Sequence, residues 1–329
     1  YRYAVDADMD NVWNVVPRNT LFERTGIASL NFNTVYQLYR RKLSNDTALA
    51  NAETMLLMPD LLGYFLTGEK ASEYTNVTTT MLYNPTSGDW DWETIDALKL
   101  PRKLFTKIDR AGQLRGRLLP ELAEELGINQ APFAAVGTHD TASAVAAIPG
   151  QGNFAFCSSG TWSLFGVETE QPIFSDLVRT ANFSNEGTVQ GGFRPLKNIM
   201  GLWLIQECRR EWMAAGNRYS WNDIVDMARK AEPLRSIVDP DYGPFFAGGN
   251  MVEQMQDYCR KTQQPIPETV GQVARCIYES LALKYRWALE RLEEIKGAKL
   301  DALNIVGGGI QNKLLNQMAA DSIDRPVVT

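Results

Sequence analysis

Apolar residues recur at three- and four-residue spacings in "NFNTVYQLYRRKL", where Phe32, Val35, Tyr36, Tyr39 and Leu43 share one face, and this pattern predicts a packed helix. "PDLLGYFLTG" predicts a second packing helix, since Pro59 suits a first turn and Gly68 suits the left-handed residue that ends one. "LLPELAEELG", around Pro120, follows the same grammar over a shorter span. Between them "EYTNVTTTMLYNPTSGDWDWE" is rich in Thr, Asn, Gly and Asp, so it reads as ordered loop on one side of a domain, where functional residues often sit.

Farther along, "APFAAVGTHDTASAVAAIPG" reads as a strand over 132–137, a turn, and a small-residue helix from about residue 141. Pro149 and Gly150 mark the best boundary. "NFAFCSSGTWSLFGVE" alternates large and small residues on both sides of Ser158-Ser-Gly-Thr161, the pattern of a hairpin with a tight turn. A helix near 200–215 follows, then a long one from Pro267 to Lys296, with Val270, Val273, Ile277, Leu281, Tyr285, Leu289 and Leu292 in register and Gly297 at its end. The last unit, "LDALNIVGGGIQNKLLNQMAADSI", is a short apolar strand, three glycines and a helix. Hairpins mixed with strand–helix units predict an α/β protein of two domains, 1–149 and 150–329, with no repeat at solenoid periods.

Composition sharpens this picture only in places. With 44% hydrophobic residues, a chain of 329 can fill two cores. Its 33 basic and 39 acidic residues are scattered without blocks, for a net charge of −6, which leaves no footprint for nucleic acid or for an anionic membrane surface. A small neutral or anionic substrate in a local pocket fits better. Four cysteines lie far apart and His139 is the sole histidine, so zinc chemistry is disfavoured. Cys259 and Cys276 flank a proline-containing turn and could meet. No stretch approaches the ~18 apolar residues of a membrane helix and the opening is not an export signal, so the cytoplasm is the expected compartment. An opening without methionine and a close on "DRPVVT" lead to the expectation of a piece of a longer chain.

Two places carry candidate chemistry. Gly307-Gly-Gly309 stands between a strand and a helix, where glycines either permit a tight turn or present main-chain N–H groups to an anion. Its pairing with Ser158–Thr161 suggests two donor-rich turns gripping two ends of a nucleotide. A Walker loop is absent, because "GYFLTGEK" has Glu69 where the lysine must be. Asp140 has two readings. It caps the helix that follows, or it is an ionised carboxylate at a strand's end that takes a proton from a substrate hydroxyl. His139 beside it is assigned to substrate contact.

Taken together, "VGTHDTASAV", "SSGTWSL", "NIMGLWLIQE" and "IVGGGIQNKLLNQMAAD" resemble the FGGY family of carbohydrate kinases. "LFERTGIASLNFNTVYQL" and "LLMPDLLGYFLTGEKASEYTNVTTTMLYNPTSGDWD" resemble the branch whose acceptor is L-rhamnulose. The likeness runs nearly end to end. It implies two ribonuclease-H-like domains of the actin and hexokinase type with a cleft between them: a sugar-binding one over 1–149 lacking its first part, and a nucleotide-binding one over 150–329 lacking its last part. It also implies ATP with magnesium, transfer of the γ-phosphate to the sugar's 1-hydroxyl, and a monomer or homodimer. By motif, Asp140 is the general base, His139 and Thr141 line the sugar site, Asn198 reaches the sugar, and Thr161, Gln206 and Gly308 hold the nucleotide; no protein metal ligand is assigned.

The departures matter too. The family's opening DxGxxSxR hairpin, its Trp-Gly segment and a closing segment after "RPVV" are not found, and Tyr3 stands where an aspartate is usual. These 329 residues alone are therefore expected to show little or no turnover. A kinase for another ketose, such as L-fuculose or L-xylulose, and a non-catalytic sugar-binding relative are the alternatives.

Overall fold

The computed structural model describes residues 6–150 and 152–329; Tyr3 lies outside the described residues. The chain divides into two compact units, and the division is not a single cut. Residues up to Ala147 join with Glu168–Pro195, while Ile148–Val167 joins with Leu196–Thr329.

In the first unit the core gathers Val35, Tyr36, Tyr39, Tyr74, Val77, Leu82, Trp90 and Leu104. The helix Thr34–Leu43 buries Val35, Tyr36, Leu38 and Tyr39. Leu43, expected on that face, is exposed, because the helix ends there and Ser44 turns the chain away. The helix Met58–Thr67 departs further from expectation. It begins with proline in its first turn and ends on left-handed Gly68 as its sequence predicts, yet it buries Asp60, Gly63 and Thr67 while exposing Met58, Leu62, Phe65 and Leu66. The reason is an ion pair: Arg115 Nη1 donates to Asp60 Oδ1 at 2.7 Å, and its Nε donates to Asp109 Oδ2 at 3.0 Å, so the polar face turns inward.

The stretch read as ordered loop on one side of a domain is mostly core. Tyr74–Val77 is a helical turn, Thr78–Thr80 a 3₁₀ turn, and Tyr83–Asn84 pairs with Asp89–Trp90 in a small hairpin. Threonines can be buried here because each hydroxyl is already satisfied: Thr78, Thr79 and Thr80 donate to the carbonyls of Thr75, Asn76 and Val77. The expected strand 132–137 is only Pro132–Ala134, antiparallel to Leu114–Arg117. Beyond it the N–H of Thr138 goes to a carboxylate rather than to a neighbouring strand.

The second unit is built on five strands of a six-stranded mixed sheet, in the order Val327–Val328, Ala302–Val306, Phe154–Ser159, Trp162–Gly166 and Phe193–Met200. Phe154–Ser159 and Trp162–Gly166 form the predicted antiparallel hairpin, while Ala302–Val306 lies parallel to its first strand. The long helix Val270–Lys296 starts at Thr269, whose hydroxyl accepts from Gln272 N in a capping box, and stops at left-handed Gly297. Its Tyr285 hydroxyl lies 2.7 Å from Ser163 Oγ, and its ring stacks on Phe165. All four cysteines are free and buried, Cys259 and Cys276 included.

The long helix also packs on Trp221–Lys230, and Gly271 sets the approach: a Cβ there would lie 2.5 Å from the carbonyl oxygen of Met227. Gly271→Ala is expected to cost about 1–3 kcal/mol of unfolding free energy. Thr269→Ala, which removes only the cap, should cost about 1 kcal/mol. Chemical denaturation of both variants checks the order; a Gly271→Ala protein as stable as the wild type overturns the packing argument.

Candidate functional site

One buried carboxylate organises the loop that carries His139 and Asp140. Glu73 has no exposure, and its Oε2 accepts from Thr138 N and Oγ1, both at 2.9 Å, and from Thr75 N at 3.1 Å. The Thr75 hydroxyl donates to the same oxygen and accepts from His139 N at 3.1 Å. The main chain just before Asp140 is thus tied down at two successive N–H groups. Glu73 N in turn lies on Asp60, the partner of buried Arg115. The loop is held by polar contacts reaching back to a distant helix.

Asp140 is the first residue of the helix Asp140–Ala146, and His139 occupies the position before it without making a side-chain cap. The Asp140 carboxylate bonds only locally, accepting from Thr141 N at 2.7 Å and from Thr141 Oγ1 at 3.4 Å, within the first turn of its own helix. The side chain is 97% exposed, whereas Thr141 behind it is buried.

His139 is the opposite, with a side chain only 20% exposed. Its Nδ1 lies 3.0 Å from Arg194 Nη2 and 3.3 Å from Glu186 Oε2, and its Nε2 lies 3.8 Å from Asp140 Oδ1. Burial pushes its pKa below the ordinary histidine value, against the pull of Glu186. At neutral pH the ring is uncharged.

In the second unit the two turns singled out by sequence are neighbours. Val306 pairs in parallel with Ser158, so the glycine run and the Ser158–Thr161 turn leave the sheet at the same edge. The three glycines differ in kind. Gly307 is left-handed (φ 88°), and a Cβ on it would lie 2.8 Å from the Ser159 carbonyl oxygen; a Cβ on Gly309 would lie 2.0 Å from Ser159 Oγ. Gly308 faces open space. Two glycines thus let the turns close on each other, and the middle one leaves main chain approachable from outside, the kind of surface a phosphate chain needs.

Thr161 and Gln206 are also brought together, the hydroxyl donating to Gln206 Oε1 at 3.2 Å. The Thr161 carbonyl accepts from Gly201 and Trp203 N, which stitches the turn to the helix Trp203–Ala214. Asn198, half-buried, lies in the strand Phe193–Met200 opposite Leu164. His139, Asp140 and Thr141 form one group in the first unit; Thr161, Gln206, Gly308 and Asn198 lie in the second. Among the described residues no three His, Cys, Asp or Glu side chains form a metal cluster.

Sequence reasoning missed Glu73, Thr75, Glu186 and Arg194. Glu73 and Thr75 sit in a stretch with no hydrophobic period, which gave no sign of burial. An arginine inside the apolar run "FRPLKNIM" was the one available signal for Arg194.

Profiles of known families match two successive stretches of the chain: "FGGY family of carbohydrate kinases, N-terminal domain" over residues 7–147, and "C-terminal domain" of the same family over 155–329. The chain is 41% identical over 314 residues to a rhamnulokinase of Bacteroides thetaiotaomicron, covering 95% of this chain and 64% of that protein. It is 41% identical over 325 residues to a rhamnulokinase of Oceanobacillus iheyensis, covering 98% and 68%. The chain thus spans about two thirds of the length of these curated relatives. Among solved structures it is similar to a ligand-bound xylulose kinase from Lactobacillus acidophilus, with TM-score 0.75 and 18% identity over 98% of this chain and 65% of that one. A gluconate kinase from the same organism gives 0.76 and 17%, with the same coverage. The fold is the two-domain α/β fold of sugar kinases.

The glycine run yields a graded expectation. Gly309→Ala and Gly307→Ala should each lower stability by about 1–3 kcal/mol, because Ser159 cannot retreat without disturbing the hairpin. Gly308→Ala should leave the melting temperature unchanged. Differential scanning calorimetry of the three variants checks this, and equal losses at all three positions would refute the assignment of Gly308 to open space.

Proposed function

The chain belongs to the FGGY family of carbohydrate kinases, and from that premise we propose that it carries the acid–base and nucleotide-holding residues for phosphorylation of L-rhamnulose at its 1-hydroxyl by ATP. The rhamnulokinases at 41% identity support the choice of sugar. The observation that carries the chemistry is the pair at residues 139 and 140. A neutral imidazole Nε2 and a fully exposed carboxylate oxygen stand 3.8 Å apart on a loop held by Glu73, which offers a sugar one hydrogen-bond donor and one acceptor side by side.

In this reading the Asp140 carboxylate takes the proton of the 1-hydroxyl as that oxygen attacks the γ-phosphorus. The new P–O bond joins the sugar, the bond to the bridging oxygen breaks, and ADP leaves with the electron pair. His139 and Thr141 orient the sugar, with Asn198 as a further contact. The open main chain at Gly308, in the same unit as the Thr161–Gln206 pair, suits the nucleotide phosphates. Magnesium bound with ATP would supply neutralisation of the phosphate charge. No described helix is long and apolar enough to cross a membrane.

Asp140→Asn, in the complete natural polypeptide that carries this sequence, tests the proposal. The side chain makes no distant contact, so the variant should fold with unchanged melting temperature and retain sugar affinity, while kcat falls by about 10²–10⁴. ADP release over a panel of ketoses checks the acceptor. Turnover near wild type in Asp140→Asn defeats the base assignment, and a preference for L-fuculose or L-xylulose moves the protein to another sugar.

A further inference from the structure

The buried charges around His139 are not used by the mechanism above. Arg194 is fully buried and has few acceptors available: Gly187 O at 3.0 Å from Nε, with Glu186 Oε2 at 3.4 Å and His139 Nδ1 at 3.0 Å from Nη2. Its Nη1 is buried with no hydrogen-bond partner among the described residues. A guanidinium has five N–H donors and no lone pair to offer. An N–H at Nδ1 would therefore point a proton at a second proton across 3.0 Å. Glu186, 3.3 Å from Nδ1, would favour the opposite arrangement, but it already lies within reach of Arg194.

We propose that Arg194 is a positioning residue of the sugar site: by donating to Nδ1 it fixes His139 as the neutral tautomer with its proton on Nε2, aimed beside the Asp140 carboxylate. The assignment rests on the reading of His139 as a sugar contact. Without the guanidinium, Nδ1 would be free to carry a proton toward Glu186, and Nε2 would become an acceptor next to the carboxylate. The site would then present two acceptors and lose its donor. Charged groups facing the ring are Glu186 and Arg194 from the hairpin around Gly187–Gly192, Glu73 from the start of Tyr74–Val77, and Asp140 beside it in sequence. Arg194 and burial both oppose protonation, while the three carboxylates favour it.

In the complete natural polypeptide labelled with ¹⁵N-histidine, the imidazole pattern of His139, the sole histidine of these 329 residues, is the one missing from the long-range ¹H–¹⁵N spectrum of His139→Gln. At pH 7 the expected result is an unprotonated Nδ1 and a protonated Nε2, with titration only below the ordinary histidine value of about 6.5. In Arg194→Met the midpoint should rise by about 1–3 pH units and the Nδ1–H form should gain population. Arg194→Lys, which keeps a cationic donor, should hold the wild-type tautomer. A wild-type Nδ1–H tautomer overturns the proposal, as does a folded Arg194→Met protein whose tautomer and titration are unchanged. Should Arg194→Met not fold, the wild-type tautomer and the lysine variant decide. The spectra need no sugar, so a protein that phosphorylates no ketose still reveals whether Arg194 sets the tautomer, and an active kinase with Nδ1–H on His139 sinks this proposal alone.

Discussion

A carboxylate with no exposure and no cation in direct contact is costly unless donors surround it, and Glu73 meets that condition by drawing in the loop that leads to Asp140. Four donor groups converge on one of its oxygens, and the other oxygen is buried without a partner. The cost of leaving that group unpaired is what ties Thr138 and, through the Thr75 hydroxyl, His139 to the core. A carboxylate in the role proposed for Asp140 must be exposed to meet substrate, so it cannot anchor itself. Its placement has to come from the residues before it, and Glu73 supplies that.

The second unit solves a related problem with space rather than charge. Two turns must come close enough to form one polar surface, yet any side chain between them would hold them apart. Gly307 and Gly309 remove the obstacle on the side of Ser159, and the parallel pairing of Ala302–Val306 with Phe154–Ser158 brings the turns to the same edge. Thr161 and Gln206 are then fixed by main-chain bonds to the start of the helix Trp203–Ala214. Phosphoryl transfer depends on such fixed positions more than on any covalent step by the protein.

The first unit also places ionised groups inside. Arg115 between Asp60 and Asp109, and Arg194 between Glu186 and His139, are almost wholly buried. Burial pushes Asp60 upward despite its arginine partner, so these clusters are weak sources of stability and are better understood as devices that select one arrangement of their neighbours. At Asp60 the choice inverts a helix, turning Leu62 and Phe65 outward. At Arg194 it bears on the protonation of a ring beside the proposed base.

The sequence by itself determined the elements whose signals are local. Thr269 and Gly297 bracket the long helix, Ser158–Thr161 turns the hairpin, and Gly307–Gly309 separates strand from helix; each rests on a backbone preference or a short-range period. It also singled out His139 and Asp140 as neighbours. Only the tertiary structure decided that the threonine-rich stretch is core, that Met58–Thr67 faces inward with its polar side, that Glu168–Pro195 packs with the first unit, and that Glu73 and Arg194 reach the His139 loop. Those outcomes depend on where a buried charge finds a partner. Arg194 lies 55 residues from His139 and Thr138 lies 65 from Glu73, separations that no local period can encode.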